Sequence, residues 1–416
     1  MSRYSPASLF GVVDLPFAFP FAVMKGAPVL GWALMSAIIP IQALKLLGDV
    51  QSVSVFFFGV GVVGLLGLLV MPWLMHAVGR RAMLALGAVC IVISSVLLSL
   101  DEAVSLIGGA MLGMLGGLCY EVVFEVAVME RIPRRDLVRF EPVRIFFIGV
   151  GLIMGPWLGV RLSLDLGLWS PFALRALLAA GVCVYALRVR LIYSPRDAAP
   201  PGRPPNPLRF IPRFVRQPRL RLAWVLAFGR ASWWTMFFIY APIYCVQSGL
   251  GEEWAGIILS VGSAAILLVP IWGRLSRRIG VRTVLAIGYV TTGLVTMAIA
   301  VSGNPWLGAG LLLAACLCVS LIDAVGDALF LRAVHPHERS EMASVFFTFF
   351  GTAQLATPGV LAALLSFFAL PVVFLVSGAS TAASAWLTRI PNGQETSNQE
   401  GRQKREPRAS QKSSVP

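Results

Sequence analysis

The chain has 416 residues, 57% hydrophobic and 13% charged, with a net charge of +14. Globular proteins run to about 45–50% apolar and about 25% charged residues, so a water-soluble domain is excluded and the alternative solvent is a bilayer. Thirty arginines, four lysines and twenty acids give the positive balance; their distribution, below, makes it a membrane-orientation signal and not a nucleic-acid footprint.

In chain order, twelve apolar runs are long enough to cross a membrane as helices: 18–43, 52–74, 82–100, 103–128, 143–162, 172–192, 222–246, 255–272, 283–302, 306–330, 343–366 and 370–388. Helices are expected because a backbone in lipid must satisfy its own hydrogen bonds. The runs are also too continuous for the short alternating strands of a barrel. Asp14, Pro16 and Pro20 interrupt the first stretch, so no cleavable signal is expected. The Pro- and Arg-rich stretch from Tyr193 to Arg221 reads as a linker, giving an N-terminal bundle (1–193), a central loop (194–221), a C-terminal bundle (222–390) and a polar, disordered tail (391–416). With the N-terminus inside, 29 of the 34 basic residues fall in inner segments and three, Lys45, Arg161 and Arg175, fall outside. That bias places both termini in the cytoplasm.

Two echoes show that the halves are related. Gly273 to Arg282 (G-R-L-S-R-R-I-G-V-R) lies 201 residues after Pro72 to Arg81 (P-W-L-M-H-A-V-G-R-R), and each stretch ends one apolar run and begins another. Glu121 and Glu125 precede Asp323 and Asp327 by 202 residues, so each half carries an acidic i, i+4 pair in its fourth run.

Two six-span halves, a basic central loop and a Gly-plus-basic loop after spans two and eight resemble the major facilitator superfamily over residues 15 to 390. Its loop signature is matched by Gly273, Arg278, Gly280 and Arg282, and in the first half by Gly79, Arg80 and Arg81. Arg277 and His76 stand where the family has an Asp, so any latch built on that Asp is made otherwise here. In the fifth span, Gly151, Gly155, Pro156 and Gly159 are similar to a motif of proton-coupled exporters in this superfamily. The resemblance implies an all-α membrane protein of two pseudo-symmetric six-helix bundles, with spans one, four, seven and ten around a central cavity and the two motifs acting in conformational gating.

A charge inside a span costs about 2.5–3.5 kcal/mol on insertion scales, so each needs a reason. Lys25, Glu121, Glu125, Arg230, Asp323 and Asp327 qualify, and the resemblance puts all six on cavity helices. At i, i+4 the members of each acidic pair share a helix face, and the four acids are candidate proton carriers. The deeper Glu121 and Asp323 are the first choice, with Lys25 and Arg230 as alternating partners. Glu125 and Asp327 have a competing reading as struts to the loop residues Arg80, Arg131, Arg278 or Arg332. Around Arg230 stand Trp233, Trp234, Phe237, Tyr240 and Tyr244; Trp233, Phe237, Tyr240 and Tyr244 share a helix face that could wall a pocket for a cation or planar substrate. Gln354 and Gln42 are further polar candidates, and Arg144 reads as an interfacial anchor.

No Ser-His-Asp set, metal cluster or phosphate loop is visible, so no enzyme, cofactor or ATP drive is expected. The six cysteines lie in apolar runs and read as small core residues. The expected partners are a small-molecule substrate, the proton and membrane lipid, and the expected unit is a monomer. The first reading of function is proton-driven export of a small organic molecule across a bacterial inner membrane. Uptake of an organic anion through Arg230 is one alternative; a non-transporting assembly or sensor protein is another.

Overall fold

The protein, seen as a computed structural model, is described over residues 18–131, 134–189, 211–326, 329–330, 334, 342 and 345–388. Among these the regular structure is helical. The first half holds α1 (Ala18–Ser36), α2 (Ile38–Leu47), α3 (Val50–Ser99), α4 (Ala103–Arg131), α5 (Arg134–Leu166) and α6 (Trp169–Arg188). After the short α7 (Ile211–Arg216), the second half holds α8 (Pro218–Gln247), α9 (Glu252–Ser263) and α10 (Val269–Ile279), with a 3₁₀ segment (Ala264–Leu268) between the last two. It closes with α11 (Val281–Val301), α12 (Pro305–Asp323), α13 (Thr348–Leu365) and α14 (Pro371–Leu387).

Ten stretches among the described residues are long and apolar enough to cross a membrane, α1–α2 and α9–α10 each counting as one, and α14 is a shorter apolar helix. One of the ten, α3, has 50 residues and is broken at Gly79, so it makes two crossings. Among the described residues that makes eleven crossings, with the shorter α14 beside them. The protein is a multi-pass membrane protein.

Gly79 (φ 79°, ψ 163°) and Gly280 (φ 92°, ψ 143°) adopt the same backbone conformation, one that side chains disfavour. Each breaks the helix between the second and third crossings of its half. The repeat read from sequence is therefore a repeat of backbone geometry.

Several limits differ from the sequence reading. Residues 211–216 and 218–221, assigned to the central loop, are helical. The tenth crossing, expected to run to 330, leaves the α-helix at Asp323 and turns through 324–326. Gly326 N–H closes that turn on Ile322 O at 2.7 Å.

Within the first half, α3 packs on α4, and α1 on α5 and α6; within the second, α11 packs on α12 and α14. Glycines make the α1–α5 contact close. A Cβ on Gly151 would lie 3.0 Å from Leu30 N, one on Gly155 2.9 Å from Ala33 C, and one on Gly159 2.8 Å from Leu34 C. The fifth-span motif thus packs α5 on α1, and α5 runs as helix through Pro156. This is small-residue packing.

The halves meet along two seams, α3 on α13 and α5 on α9. At the first, a Cβ on Gly61 would lie 2.8 Å from Gln354 O. At the second, Trp157 N–H donates to Ser260 Oγ at 2.9 Å. α1 and α8 also meet across the halves, through Trp32 and Phe238. We call the face where α1 and α8 begin the near face, and the opposite one the far face. At the far face Asp49 caps α3, accepting from Ser52 N–H at 2.7 Å and Ser52 Oγ at 2.8 Å. These bonds hold its carboxyl below the ordinary carboxylate range.

Candidate functional site

α1, α4 and α5 bring four charges together. Lys25 Nζ donates to Glu121 Oε1 at 2.6 Å and to Glu125 Oε1 at 3.0 Å. Arg144 donates to the same Glu125 oxygen at 2.9 Å. Two cations offset two carboxylates, which is how a low-dielectric site tolerates them. The i, i+4 spacing lets one lysine reach both acids. The shallow acid of this half is therefore tied to Lys25 and Arg144. Arg144, read from the sequence as an interfacial anchor, joins this cluster through Glu125.

The second half pairs its charges more loosely. Arg230 Nε lies 3.6 Å from Asp323 Oδ1, and Trp234 Nε1–H donates to Asp323 Oδ2 at 3.1 Å. The Arg230 guanidinium also sits over the Phe349 ring, 5.7 Å from its centroid. The turn after Asp323 makes room for it, since a Cβ on Gly326 would lie 2.5 Å from Arg230 Nη1. Asp327 lies outside the described residues. Lys25 is thus the partner of the acids in its own half, and Arg230 of Asp323.

The aromatic wall differs from the expected one. Trp233, Phe237 and Tyr240 are fully buried. Trp233 donates to Thr296 Oγ1 on α11 at 2.9 Å, inside the second bundle. Tyr240 and Ser54 share a 2.7 Å hydrogen bond across the halves. Helical spacing put these rings on one face correctly, but that face packs into protein. The rings that bridge the interior are Trp234, Phe238 and Trp32. Trp234 and Phe238 stack at 5.8 Å, and Phe238 meets Trp32 of α1 edge-on at 5.2 Å. Trp32 went unnoticed in the sequence; its signal was an i+7 relation to Lys25, which puts both on one stripe of α1.

Gln42 is buried and donates to Leu98 O and Asp101 Oδ1, both at 3.0 Å, so it ties α2 to the α3–α4 turn. Gln354 lies half-buried on α13, its backbone against Gly61. Arg278 is exposed at the end of α10. Arg80, Arg81 and Arg282 flank the two glycine breaks.

Arg175, placed outside by the sequence reading, stands within α6. Its Nη1 donates to Ser94 Oγ at 3.2 Å, and its guanidinium rests where Gly113 has no side chain. It is a further charge within an apolar span. The described residues hold no cluster able to bind a metal. A recess of about 350 Å³ between α1 and α6, lined by Pro20, Met24, Leu177, Gly181 and Tyr185, is apolar and holds none of these charges.

Solved structures share this architecture at low identity. A POT family transporter in complex with 5-aminolevulinic acid matches with a TM-score of 0.70 and 14% identity, over 88% of this chain and 94% of that one. The nucleoside transporter NupG gives 0.65 and 15%, over 90% and 98%. The POT family transporter PepTSo gives 0.69 and 12%, over 90% and 97%. No curated protein sequence matches significantly. The profile of the Major Facilitator Superfamily matches residues 27–271 and 253–414, nearly the whole chain, and the protein belongs to that superfamily of membrane transporters.

Proposed function

We propose that the protein is a secondary transporter of a small organic molecule, working by alternating access as a proton-coupled exporter in the inner membrane. It acts as a monomer with both termini cytoplasmic, and residues 1–193 and 222–390 are the bundles that rock about the central helices. The observation that carries this reading is the placement of the charges. Each half sets an acid–base cluster amid its apolar spans, Lys25–Glu121–Glu125–Arg144 on α1, α4 and α5 and Arg230–Asp323 on α8 and α12. Such groups are costly in a membrane interior and are spent there on ion or substrate pathways. Glu121 and Asp323 carry the proton, because each shares a cation that can hold the site while the carboxyl is neutral. The glycine breaks and the α1–α5 glycine seam are the gating elements.

Proteoliposome flux with an imposed pH gradient tests it. Exchange predicts that substrate accumulates in the acidic compartment; accumulation in the alkaline compartment would refute export and favour uptake with the proton. Asp323→Asn and Glu121→Gln should each remove the response to the gradient while the purified protein stays folded. An undiminished response in both variants would remove these residues from the coupling path.

A further inference from the structure

The exposures of the buried charges differ, and the difference says what an incoming molecule meets. The Glu121 side chain is 55% exposed, against 9% for Lys25, 11% for Arg230 and 21% for Asp323. Lys25 is spent on the two glutamates and Arg144 on Glu125. Glu121 uses Oε1 for Lys25, and among the described residues its Oε2 accepts no hydrogen bond. α4 backs onto α3 through Cys119 and Tyr120, which fit against Gly87, while Glu121 lies toward α1. The space beside it is open: a Cβ on Gly117, one turn toward the far face, would meet no atom within 4 Å.

Trp32 faces the same space. α1 and α4 run antiparallel, with Lys25 level with Glu121 and Glu125. Seven residues up α1, about 10 Å at the helical rise, Trp32 reaches the depth of Gly117. It is 46% exposed, yet it touches Phe238 of the opposite half, so its exposed surface borders the inter-bundle space. An exposed carboxylate on the α1 side of α4 and an exposed indole at the contact between the halves are therefore offset in depth by about one helical turn, about 6 Å.

Resting on the transporter reading, we propose that the space between Glu121 and Trp32 takes aromatic amines: the protonated nitrogen binds Glu121 and the ring lies against Trp32. A carboxylate supplies charge-assisted hydrogen bonds to an ammonium group. An indole supplies a flat apolar face on which a ring packs. An organic anion would meet the most exposed acid of the site first.

The test uses the full-length purified protein and four probes: tryptamine and tyramine, butylammonium with charge but no ring, and indole-3-acetate with a ring and the opposite charge. Thermal-shift titration should give saturable stabilisation by the two aromatic amines, at least tenfold weaker binding of butylammonium, and none of indole-3-acetate. Glu121→Gln should weaken tryptamine at least tenfold. Trp32→Ala should erase the preference for tryptamine over butylammonium, and Trp32→Phe should keep most of it. Gly117→Phe adds bulk only to open space, so it should fold and lose the amines, which guards against reading a misfolded Glu121 variant as a binding defect. Equal or tighter binding of indole-3-acetate, no binding of either aromatic amine, or variants with unchanged affinity would overturn the proposal. Flux of another compound class without amine binding would sink this inference and leave the transporter reading standing. Amine binding without flux would do the reverse.

Discussion

Arg144 is the residue whose removal tests the four-charge cluster most directly. Glu125 accepts from Lys25 and Arg144 through one oxygen. Hydrogen bonds to charged groups contribute about 1.5–3 kcal/mol. Arg144→Met should therefore destabilise the protein by that order and lower its melting temperature in detergent, and Arg144→Lys should restore most of the loss. An unchanged melting temperature would mean that Lys25 alone satisfies the pair. Asp49 gives a pH-dependent counterpart at the far face. Its folded pKa is depressed by the Ser52 bonds, so its contribution is full above the unfolded value, about 3.9, and is lost as pH falls through the folded one. Asp49→Ala should cost about 1 kcal/mol at neutral pH, and the gap to the native protein should close in acid. Sequence exposed Lys25, Glu121, Glu125, Arg230 and Asp323 because a charge amid apolar residues stands out. It hid Arg144 and Arg175 because both stand within a few residues of a span's expected edge, where a long stem can lead either to water or inward.

At the scale of elements, glycine positions separate contact from ornament. Gly155 of α5 lies against Ala33 of α1, where an added Cβ has no room. Gly181 of α6 is exposed and would meet nothing within 4 Å. Overpacking costs about 1–3 kcal/mol and more when backbone must move. Gly155→Leu should thus fail to accumulate as folded protein or melt well below the native chain, while Gly181→Leu should match it; equal behaviour would show that the α1–α5 seam yields to bulk. The motif was legible as a pattern, but the partner helix was not, since spacing fixes a face and not what that face meets. The same limit explains the aromatic stripe. Trp233, Phe237 and Tyr240 share a face as spacing requires, and only the packing of α8 on its neighbours sends it into the core and leaves Trp234 and Phe238 beside Trp32.

At the scale of the molecule, two ion pairs tie the halves together at the far face. Lys45 Nζ meets Glu252 Oε1 at 2.6 Å, and Arg161 Nη1 meets Glu253 Oε1 at 3.4 Å. Below them the Ser54–Tyr240 bond and the Trp32–Phe238 contact also join the halves. The twofold layout was readable from the 201-residue repeat, whereas these ties were not, because they join residues more than 90 positions apart whose meeting depends on how the bundles lean. Exposed ion pairs contribute only about 0.2–1 kcal/mol each, so the latch biases the equilibrium and does not lock it. Reversing Lys45 alone to Glu sets two like charges face to face and should move the population toward an open far face by up to about tenfold, about 1.4 kcal/mol. The double swap Lys45→Glu with Glu252→Lys should return it. Spin labels at exposed Gln51 and Trp254 would read the far-face distance in the native, single and swapped proteins. High salt, which shortens the Debye length to about 3 Å at 1 M, should push the native protein in the same direction as the single reversal. A distance distribution that ignores both the reversal and the salt would mean that the buried Ser54–Tyr240 bond and the glycine seams alone hold this face shut.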